Sequence, residues 1–241
     1  MRTEPEAKSA KRLRSLAAFT SSLGYPLLMP FIFPKVYPIL DSSIIPLSGR
    51  SEFLKTLGAS LTAAGVRLLE YRNKTGSDSE LVADAQILRG SMPTGKVKLI
   101  LDDRADLVDL TCFDGVHVDA GDLSPSDARR LLGNNRIIGT FGGSDRVLPG
   151  ILDAPVEYLA IGPVFETRTK KTEKMPIGVD GVRSLREQAG PQVVLSAAAG
   201  ITLATARSVL DAGATMVAVS EAIFRTADPA REFERWMKEL G

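Results

Sequence analysis

The chain has 241 residues, of which 44% are hydrophobic and 24% are charged, and its formal net charge is +1. These values are ordinary for a soluble globular protein, and the length suits a single α/β barrel of about 200–250 residues. The near-neutral total gives no whole-molecule field that would attract nucleic acid, so anion binding must come from local clusters of cations.

Simple counts also argue against a membrane span and a disulfide. The longest apolar run, "YPLLMPFIFP", is broken by prolines and falls short of the roughly 20 residues that cross a bilayer. The only cysteine, Cys112, has no partner for an intrachain disulfide, which fits a reducing compartment, and we expect a cytoplasmic protein. Cys112 lies in the apolar stretch "LVDLTCFDGV", so we expect a buried and inert thiol.

Residues 1–34 carry basic side chains ahead of a short apolar patch. They lack the long apolar core and small-residue cleavage site of a secretory signal. We predict an N-terminal extension, partly helical, that precedes the folded domain.

From residue 35 onward, short apolar runs rich in Val, Ile, Leu and Tyr recur at intervals of roughly 20–30 residues. The runs are continuous rather than alternating, which is typical of parallel strands buried on both faces. The eight predicted strands are residues 35–41, 66–72, 97–102, 115–118, 136–141, 156–162, 192–198 and 215–220.

Stretches with helical periodicity separate these runs, and several open on Ser, Asp or Thr and close on Gly. Eight strands that alternate with helices predict a single (β/α)8 TIM barrel over residues 35–241. The open doubly wound fold is disfavoured because "LDSS", not a G-x-G-x-x-G turn, ends the first strand. The predicted helices are residues 51–65, 77–90, 124–133, 180–190, 202–213 and 228–241.

Charged side chains follow the second and third predicted strands, at the end where such barrels carry their active sites. Glu70, Arg72 and Lys74 alternate along the chain and share one face while the strand lasts. Adjacent carboxylates, Asp102 and Asp103, follow the third strand. One strand end therefore offers cations and its neighbour offers carboxylates.

The later strand ends add carboxylates, hydroxyls and small residues. Asp119 and Asp122 follow the fourth strand, and Gly200 and Ser220 follow the seventh and eighth. The stretch "VFETRTKKTEK", residues 164–174, places hydroxyls and lysines after the sixth. Carboxylates from neighbouring strands can hold Mg²⁺ together with substrate phosphates, and Arg and Lys clamp phosphate oxygens. These residues predict a site for a magnesium diphosphate and a second phosphorylated molecule.

Each element also has a purely structural interpretation. The Asp102–Arg104 stretch can be a helix N-cap with a local ion pair. His117, the only histidine, follows the buried-looking Val116 and fits a hydrogen-bonded structural role better than a catalytic one. A lysine-rich segment is most often a solvated loop. Agreement between five separated segments at one end of the barrel favours the functional interpretation.

These segments, in this order, resemble the thiamine phosphate synthase family from about residue 35 to residue 225. The resemblance implies a transferase that joins 4-amino-2-methyl-5-pyrimidinylmethyl diphosphate to a thiazole phosphate with Mg²⁺ and releases pyrophosphate. It implies small phosphorylated partners, no nucleic acid and no membrane span, and it allows a homo-oligomer. The matching blocks are "VYPILD", "EYRNK", "LDDRADL", "DGVHVDAGDLSP", "IGPVFETRTKK", "AGIT" and "AGATMVAVSEAI".

By the same resemblance, Asp103 and Asp122 would bind Mg²⁺. Arg72, Lys74 and Lys170 would be the catalytic residues, because their charge stabilises the departing diphosphate. The implied substrate-binding residues are Glu70, Tyr71, Arg72, Asn73, Lys74, Asp102 and Lys170 for the pyrimidine diphosphate, Thr167, Arg168, Thr169, Gly200, Ser220 and Glu221 for the thiazole phosphate, and Phe141 at the end of the fifth strand.

Several positions depart from the residues that are usual in the family. Glu70 stands where the family usually has Gln, Asp102 where it has Asn, and Phe141–Gly143 where it has Ser-x-His. The first two changes add negative charge where an anion should bind. Glu221 would oppose a nearby phosphate unless it pairs with a cation such as Arg225.

The departures leave alternatives to an active synthase open. One is a catalytically impaired barrel that binds a thiamine-pathway phosphate metabolite or a partner. Another is a relative of the thiazole tautomerase branch, which uses a histidine after the fifth strand. That branch ranks last because Gly143 occupies the histidine's position.

Overall fold

A computed structural model describes residues 31–167 and 174–241 of the chain. The chain divides into the units Met1–Ile32 and Phe33–Gly241, and the barrel lies in the second. The helical segment expected within residues 1–34 falls mainly outside the described residues, and the part described, residues 31–34, has no regular structure. No helix of the described residues is long and apolar enough to cross a membrane.

Eight parallel strands close into a barrel in sequence order, as the spacing of apolar runs predicts. The barrel closes where β1 pairs with β8, with Val36 opposite Val217. Each strand lies within or close to its predicted run. The strands are β1 (Val36–Asp41), β2 (Leu68–Arg72), β3 (Lys98–Asp102), β4 (Gly115–Val118), β5 (Ile137–Gly143), β6 (Tyr158–Ile161), β7 (Leu195–Ala198) and β8 (Met216–Val219).

The helices of the described residues pack outside the strands, and all six predicted helices are present. Two further helices are single turns that the periodicity did not predict. Between β5 and β6 the described chain has only a 3-10 turn, Ile151–Asp153. The α-helices are α1 (Arg50–Ala63), α2 (Asp78–Ser91), α3 (Val108–Thr111), α4 (Pro125–Leu132), α5 (Gly178–Ala189), α6 (Leu203–Asp211), α7 (Glu221–Phe224) and α8 (Pro229–Leu240).

Local sequence explains where the longer helices begin. The Ser77 and Ser124 side chains accept hydrogen bonds from the backbone N–H of Glu80 and Asp127, which satisfies a donor that the first turn leaves open. Helix α4 also has Pro125 at its first position, where the missing N–H costs no hydrogen bond. These caps fix the lengths of the connections between strands and helices.

Helix α8 packs its apolar face against neighbouring helices, and its end is hydrogen-bonded to the residue before β1. Phe233, Trp236 and Leu240 are buried, and truncating a side chain of the first two kinds costs about 3–5 kcal/mol of stability. The Lys35 ammonium donates a 2.6 Å hydrogen bond to the carbonyl of Leu240. The end of the last helix is thereby attached to the first strand.

The side chains of β2 alternate between the barrel interior and the layer of helices outside. Successive side chains of a strand point to opposite faces. Glu70 and Arg72 line the interior, whereas Leu69 and Tyr71 pack outside among the buried residues shared with the helices. The expectation that all residues from Glu70 to Lys74 face the site is therefore corrected for Tyr71.

A glycine on β5 makes room for a large ring inside the barrel. A side chain at Gly139 would overlap the ring of Tyr158, its partner on β6. Glycine therefore allows Tyr158 to cross the barrel toward β1 and β4.

The expectation for Cys112 is wrong, because its side chain is exposed. Cys112 ends helix α3 in the left-handed region, with φ of 56°. The apolar neighbours Val108 and Phe113 are buried, but the sharp helix ending turns the thiol outward.

Candidate active site

A cavity of about 620 Å³ opens at the C-terminal ends of the strands. Its walls are the inward-facing side chains of the barrel and the loops that follow β4, β6, β7 and β8. Large polar groups line the β1–β4 side, and on the β6–β8 side the small residues Ala160, Ala198 and Ala218 lie among further polar ones. The small residues leave room for a flat molecule beside the polar groups.

Arg72 at the end of β2 and Lys74 just after it lie among carboxylates at one edge of the mouth. Arg72 pairs with Asp41, and its Nε lies 3.4 Å from Asp102 Oδ2. The Lys74 ammonium lies 3.0 Å from the same Asp102 oxygen and also pairs with Asp103. Burial raises the pKa of Asp102, and the charge of Lys74 works against that rise. Phosphate oxygens could replace carboxylate partners of these cations without moving the strand.

Asp103 and Asp122 follow neighbouring strands, and their carboxyl groups interact. Burial and the hydrogen bond with Asp103 together raise the pKa of Asp122. Asp103 Oδ1 is buried without a hydrogen-bond partner, and the residue has a left-handed φ of 65°. Two facing carboxylates, one with an unpartnered oxygen, suit a hard cation that takes its other ligands from phosphates and water. Within residues 31–167 and 174–241, no three acidic, His or Cys side chains form a complete metal cage.

A buried chain of hydrogen bonds forms the floor of the cavity. The Tyr37 hydroxyl donates to Glu70 Oε2 over 2.8 Å and lies 3.0 Å from the Tyr158 hydroxyl. His117 Nδ1 lies 3.0 Å from that same hydroxyl, and its Nε2 lies 3.5 Å from Asp119 Oδ1. Residues from β1, β2, β4 and β6 therefore meet in one polar network.

Charges in this network depend on one another. Burial raises the pKa of Glu70 to about 7, although positive charge on His117 opposes the rise. Burial lowers the pKa of His117, but its hydrogen bond with Asp119 and the charges of Glu70, Asp119 and Asp102 outweigh this effect and raise it to about 9. Near neutral pH the histidine holds its proton, and Glu70 is poised between its two forms.

The pocket after β7 and β8 lies at the opposite edge of the mouth. Gly200 has a left-handed φ of 68°, and a side chain there would overlap the backbone of the loop after β6. The Ser220 hydroxyl is buried without a hydrogen-bond partner. Glu221 lines the cavity, and Arg225 Nε donates a 2.9 Å hydrogen bond to its Oε1. Glycine at position 200 therefore lets the loop after β6 pack against this pocket, and the unpartnered Ser220 hydroxyl could bind a small anion.

Several predicted residues line the cavity and others do not. Tyr71 points toward helix α2, and Asn73 binds the turn that follows β2. The predicted contacts of Arg168, Thr169 and Lys170 lie outside the described residues. The predicted residues that line the cavity are Glu70, Arg72, Asp102, Phe141, Thr167, Gly200, Ser220 and Glu221.

Sequence reasoning missed some residues that line the cavity. Ser196 is 1% exposed, and its hydroxyl has no hydrogen-bond partner. The sequence did contain a signal for Ser196, because side chains alternate along the strand "LSAA" and Ser196 therefore lies on the same face as Ala198. Tyr37 and Tyr158 could be assigned to strands, but nothing in the sequence joins their hydroxyls. Lys174 was also missed, and its Nζ lies 3.7 Å from the centroid of the Phe141 ring.

A closed barrel with paired carboxylates and cations at its C-terminal mouth is the arrangement of a (β/α)8-barrel enzyme with phosphorylated substrates. Comparison with known proteins shows the family. The model of the thiamine monophosphate synthase family matches residues 36–223. The chain belongs to this family and is a transferase.

Curated relatives agree with that assignment, and a solved structure shares the fold. The chain is 40% identical to the thiamine-phosphate synthase of Koribacter versatilis (strain Ellin345), over 77% of this chain and 87% of the relative. It is 35% identical to that of Agrobacterium fabrum (strain C58), over 80% and 87%. The fold is similar to that of a thiamine phosphate pyrophosphorylase from Pyrococcus furiosus, with a TM-score of 0.69, 24% identity and coverage of 86% of this chain and 95% of that one.

Proposed function

We propose that the protein joins 4-amino-2-methyl-5-pyrimidinylmethyl diphosphate to a thiazole phosphate, giving thiamine phosphate and pyrophosphate. Family membership supports the reaction class. The observation that carries the proposal is the division of the cavity mouth. Arg72 and Asp102 lie on one edge, and the Gly200–Ser220 pocket lies on the other. Two phosphorylated substrates can therefore approach each other across one cavity.

The first step breaks the bond between the methylene carbon and the diphosphate oxygen. The electron pair leaves with pyrophosphate, and positive charge builds on the pyrimidinylmethyl carbon. Arg72 and Lys74 stabilise the negative charge that develops on the leaving group, which is an electrostatic task. Asp103 and Asp122 would hold Mg²⁺, which neutralises diphosphate charge when bound. Lys170 is proposed to add a further cation.

The proposed position of the pyrimidine ring is the cavity floor, below the charged mouth. Glu70 and Ser196 provide polar atoms there, and Ala160 and Ala198 leave room for a flat ring. With its proton, the Glu70 carboxyl offers both a donor and an acceptor, as a Gln amide does. The departure from Gln at this position is therefore compatible with recognition of an uncharged nitrogen heterocycle.

The second step forms the new carbon–nitrogen bond. The thiazole nitrogen attacks with its own lone pair, so no protein base is needed to create the nucleophile. Gly200 and Ser220, with Thr167 and the adjacent Arg168 and Thr169, are proposed to hold the thiazole phosphate. This division of roles explains how a chain with a single histidine could catalyse the reaction.

Three acidic residues, Glu70, Asp102 and Glu221, differ from the usual family residues, but their charges do not favour a non-catalytic barrel. Asp102 lies beside Lys74, so its negative charge is compensated. Glu70 lies on the floor, away from the diphosphate edge, and Glu221 is paired with Arg225. None of the three places an uncompensated charge where a phosphate is proposed to bind.

Pyrophosphate release is the direct test. The purified chain should release pyrophosphate only when both substrates and Mg²⁺ are present, and Lys74→Ala should lower the rate at least tenfold. A matched control is Lys55→Ala, because Lys55 lies exposed on helix α1. Absence of release by the wild-type chain under conditions where a curated relative is active would overturn the proposal.

A further inference from the structure

We propose that a partly buried network on the outer wall of β2, formed by Arg50, Asp84, Tyr71 and Asn73, is a positioning device that fixes Lys74 and Arg72 for the diphosphate. The inference rests on the proposed function. Two of these residues, Tyr71 and Asn73, were expected from sequence to touch substrate. Their contacts instead lead away from the cavity.

The centre of the network is the carboxylate of Asp84, which is 2% exposed on helix α2. Arg50 from helix α1 donates to it through Nε, with 3.0 Å to each oxygen, and through a terminal nitrogen at 2.6 Å. The Tyr71 hydroxyl donates to the same carboxylate. Because a buried carboxylate is stable only with such partners, the two helices and β2 are fixed relative to one another.

Asn73 carries this constraint into the turn after β2. Its Nδ2 lies 3.3 Å from the Tyr71 hydroxyl and donates to Glu80 Oε1 over 3.2 Å. Its Oδ1 accepts from the Ser42 hydroxyl over 3.0 Å and from the backbone N–H of Gly76 over 2.7 Å. The side chain of Asn73 therefore holds both ends of the turn that contains Lys74.

The network is placed to act on both cations of the diphosphate edge. Lys74 lies inside the turn, and Arg72 is the next residue after Tyr71 on the strand. A shift of the strand backbone at Tyr71 would also displace Arg72, because the two residues are joined by one peptide bond. A displacement of about 1 Å at a group that positions substrate can cost on the order of 100-fold in rate. The hydrogen bonds behind β2 therefore matter for catalysis although they touch no substrate.

The test is Tyr71→Phe, which removes one hydroxyl and leaves Asp84 paired with Arg50. We expect kcat/KM for the pyrimidine diphosphate to fall at least tenfold, with KM for the thiazole phosphate unchanged within twofold. Asn73→Ala should produce the same selective loss. In a Lys74→Ala background the further effect of Tyr71→Phe should be smaller than in the wild type, because one of the two cations that the network positions is gone.

A matched control is offered by a second buried network at the other end of the barrel. Asp114 accepts hydrogen bonds from Arg89 over 2.5 Å and from Lys98 over 2.7 Å, at the start of the strands. Asp114→Asn should lower Tm without a selective change in either KM. If Tyr71→Phe raises both KM values equally, or keeps its full effect in Lys74→Ala, the network is merely structural and the inference is overturned.

A binding measurement separates this inference from the proposed reaction. Calorimetric titration with inorganic pyrophosphate and Mg²⁺ needs no turnover. Weaker binding by at least fivefold in Tyr71→Phe supports the positioning role even if the wild-type chain releases no pyrophosphate. Unchanged pyrophosphate affinity together with unchanged kinetics would overturn it.

Discussion

The Tyr37 hydroxyl donates a 2.8 Å hydrogen bond to Glu70 Oε2, and this contact holds a carboxyl group at the floor of the barrel. Glu70 is 4% exposed, and burial raises its pKa to about 7 from 4.5. The folded state therefore keeps a proton that the unfolded chain releases between these two values. Folding stability should therefore fall as the pH rises through this window.

Glu70→Gln should remove this dependence, because the amide can still accept from Tyr37 and does not ionise. Urea unfolding at pH 5 and pH 8 measures the effect as the difference between wild type and variant. Glu52→Gln, at an exposed glutamate, should behave as the wild type does. Equal losses of stability in wild type and Glu70→Gln would show that Glu70 is ionised throughout.

Asp103→Asn should abolish turnover while the barrel stays folded. Asparagine tolerates the left-handed φ of 65° at this position, so the backbone need not change. The loss of one carboxylate should weaken Mg²⁺ binding at least tenfold, since hard cations prefer charged oxygen ligands. Calorimetric titration with Mg²⁺ in the presence of pyrophosphate provides a readout besides activity.

The control for this metal assignment is Asp106→Asn, on the same loop. Asp106 pairs with Arg104 near the surface and is not one of the proposed ligands of Mg²⁺. It should keep wild-type affinity for Mg²⁺. Full activity of Asp103→Asn, or of the wild type in excess chelator, would contradict the assignment.

Ser196→Ala should raise KM for the pyrimidine diphosphate by about five- to tenfold, the effect of losing one hydrogen bond of about 1 kcal/mol. Stability should not fall, because the buried hydroxyl has no partner to lose. Affinity for inorganic pyrophosphate should also stay unchanged, since the ring and not the diphosphate is placed beside Ser196. Steady-state kinetics and calorimetry test these expectations.

The comparison for Ser196 is Thr140→Val. Thr140 is also buried, but its hydroxyl donates a 2.8 Å hydrogen bond to the carbonyl of Val118. Its removal should lower stability and leave KM unaltered. A Ser196→Ala variant with wild-type kinetics would mean that the ring binds elsewhere in the cavity.

Sequence could predict the barrel because its signals are local. Apolar runs indicate strands, and Ser77 and Ser124 indicate helix starts, and these signals do not depend on residues far away in the chain. The same logic assigned Glu70 and Arg72 to one face. It also implied that Tyr71 lies on the other face, which the motif-based assignment of residues 70–74 overlooked.

The contacts of the site could not be predicted, because they join residues far apart in the chain. His117 and Tyr158 meet only because strands β4 and β6 flank Gly139. Cys112 shows the converse: an apolar neighbourhood suggested burial, but a single left-handed residue at the end of α3 exposes the thiol. Side-chain direction at such a turn depends on backbone geometry that composition does not encode.

Glu221 is the departure that the structure explains through its neighbour. Arg225 donates a 2.9 Å hydrogen bond to Glu221 Oε1 from one turn further along. The pair is partly exposed, so it contributes little to stability. The ion pair matters more for phosphate binding than for folding stability, because an unpaired Glu221 carboxylate at the mouth would repel the phosphate dianion.

Arg225→Ala should therefore weaken binding of the thiazole phosphate several-fold, and Glu221→Ser should change it by less than about threefold. The double variant should bind nearly as the wild type does, because both charges are gone. Calorimetric titration of the four proteins with thiazole phosphate forms a complete double-mutant cycle. Salt should reduce the effect of Arg225→Ala, since the groups are near the surface. If Glu221→Ser alone tightens binding tenfold or more, Arg225 does not neutralise the carboxylate, and the native pocket is impaired by its own glutamate.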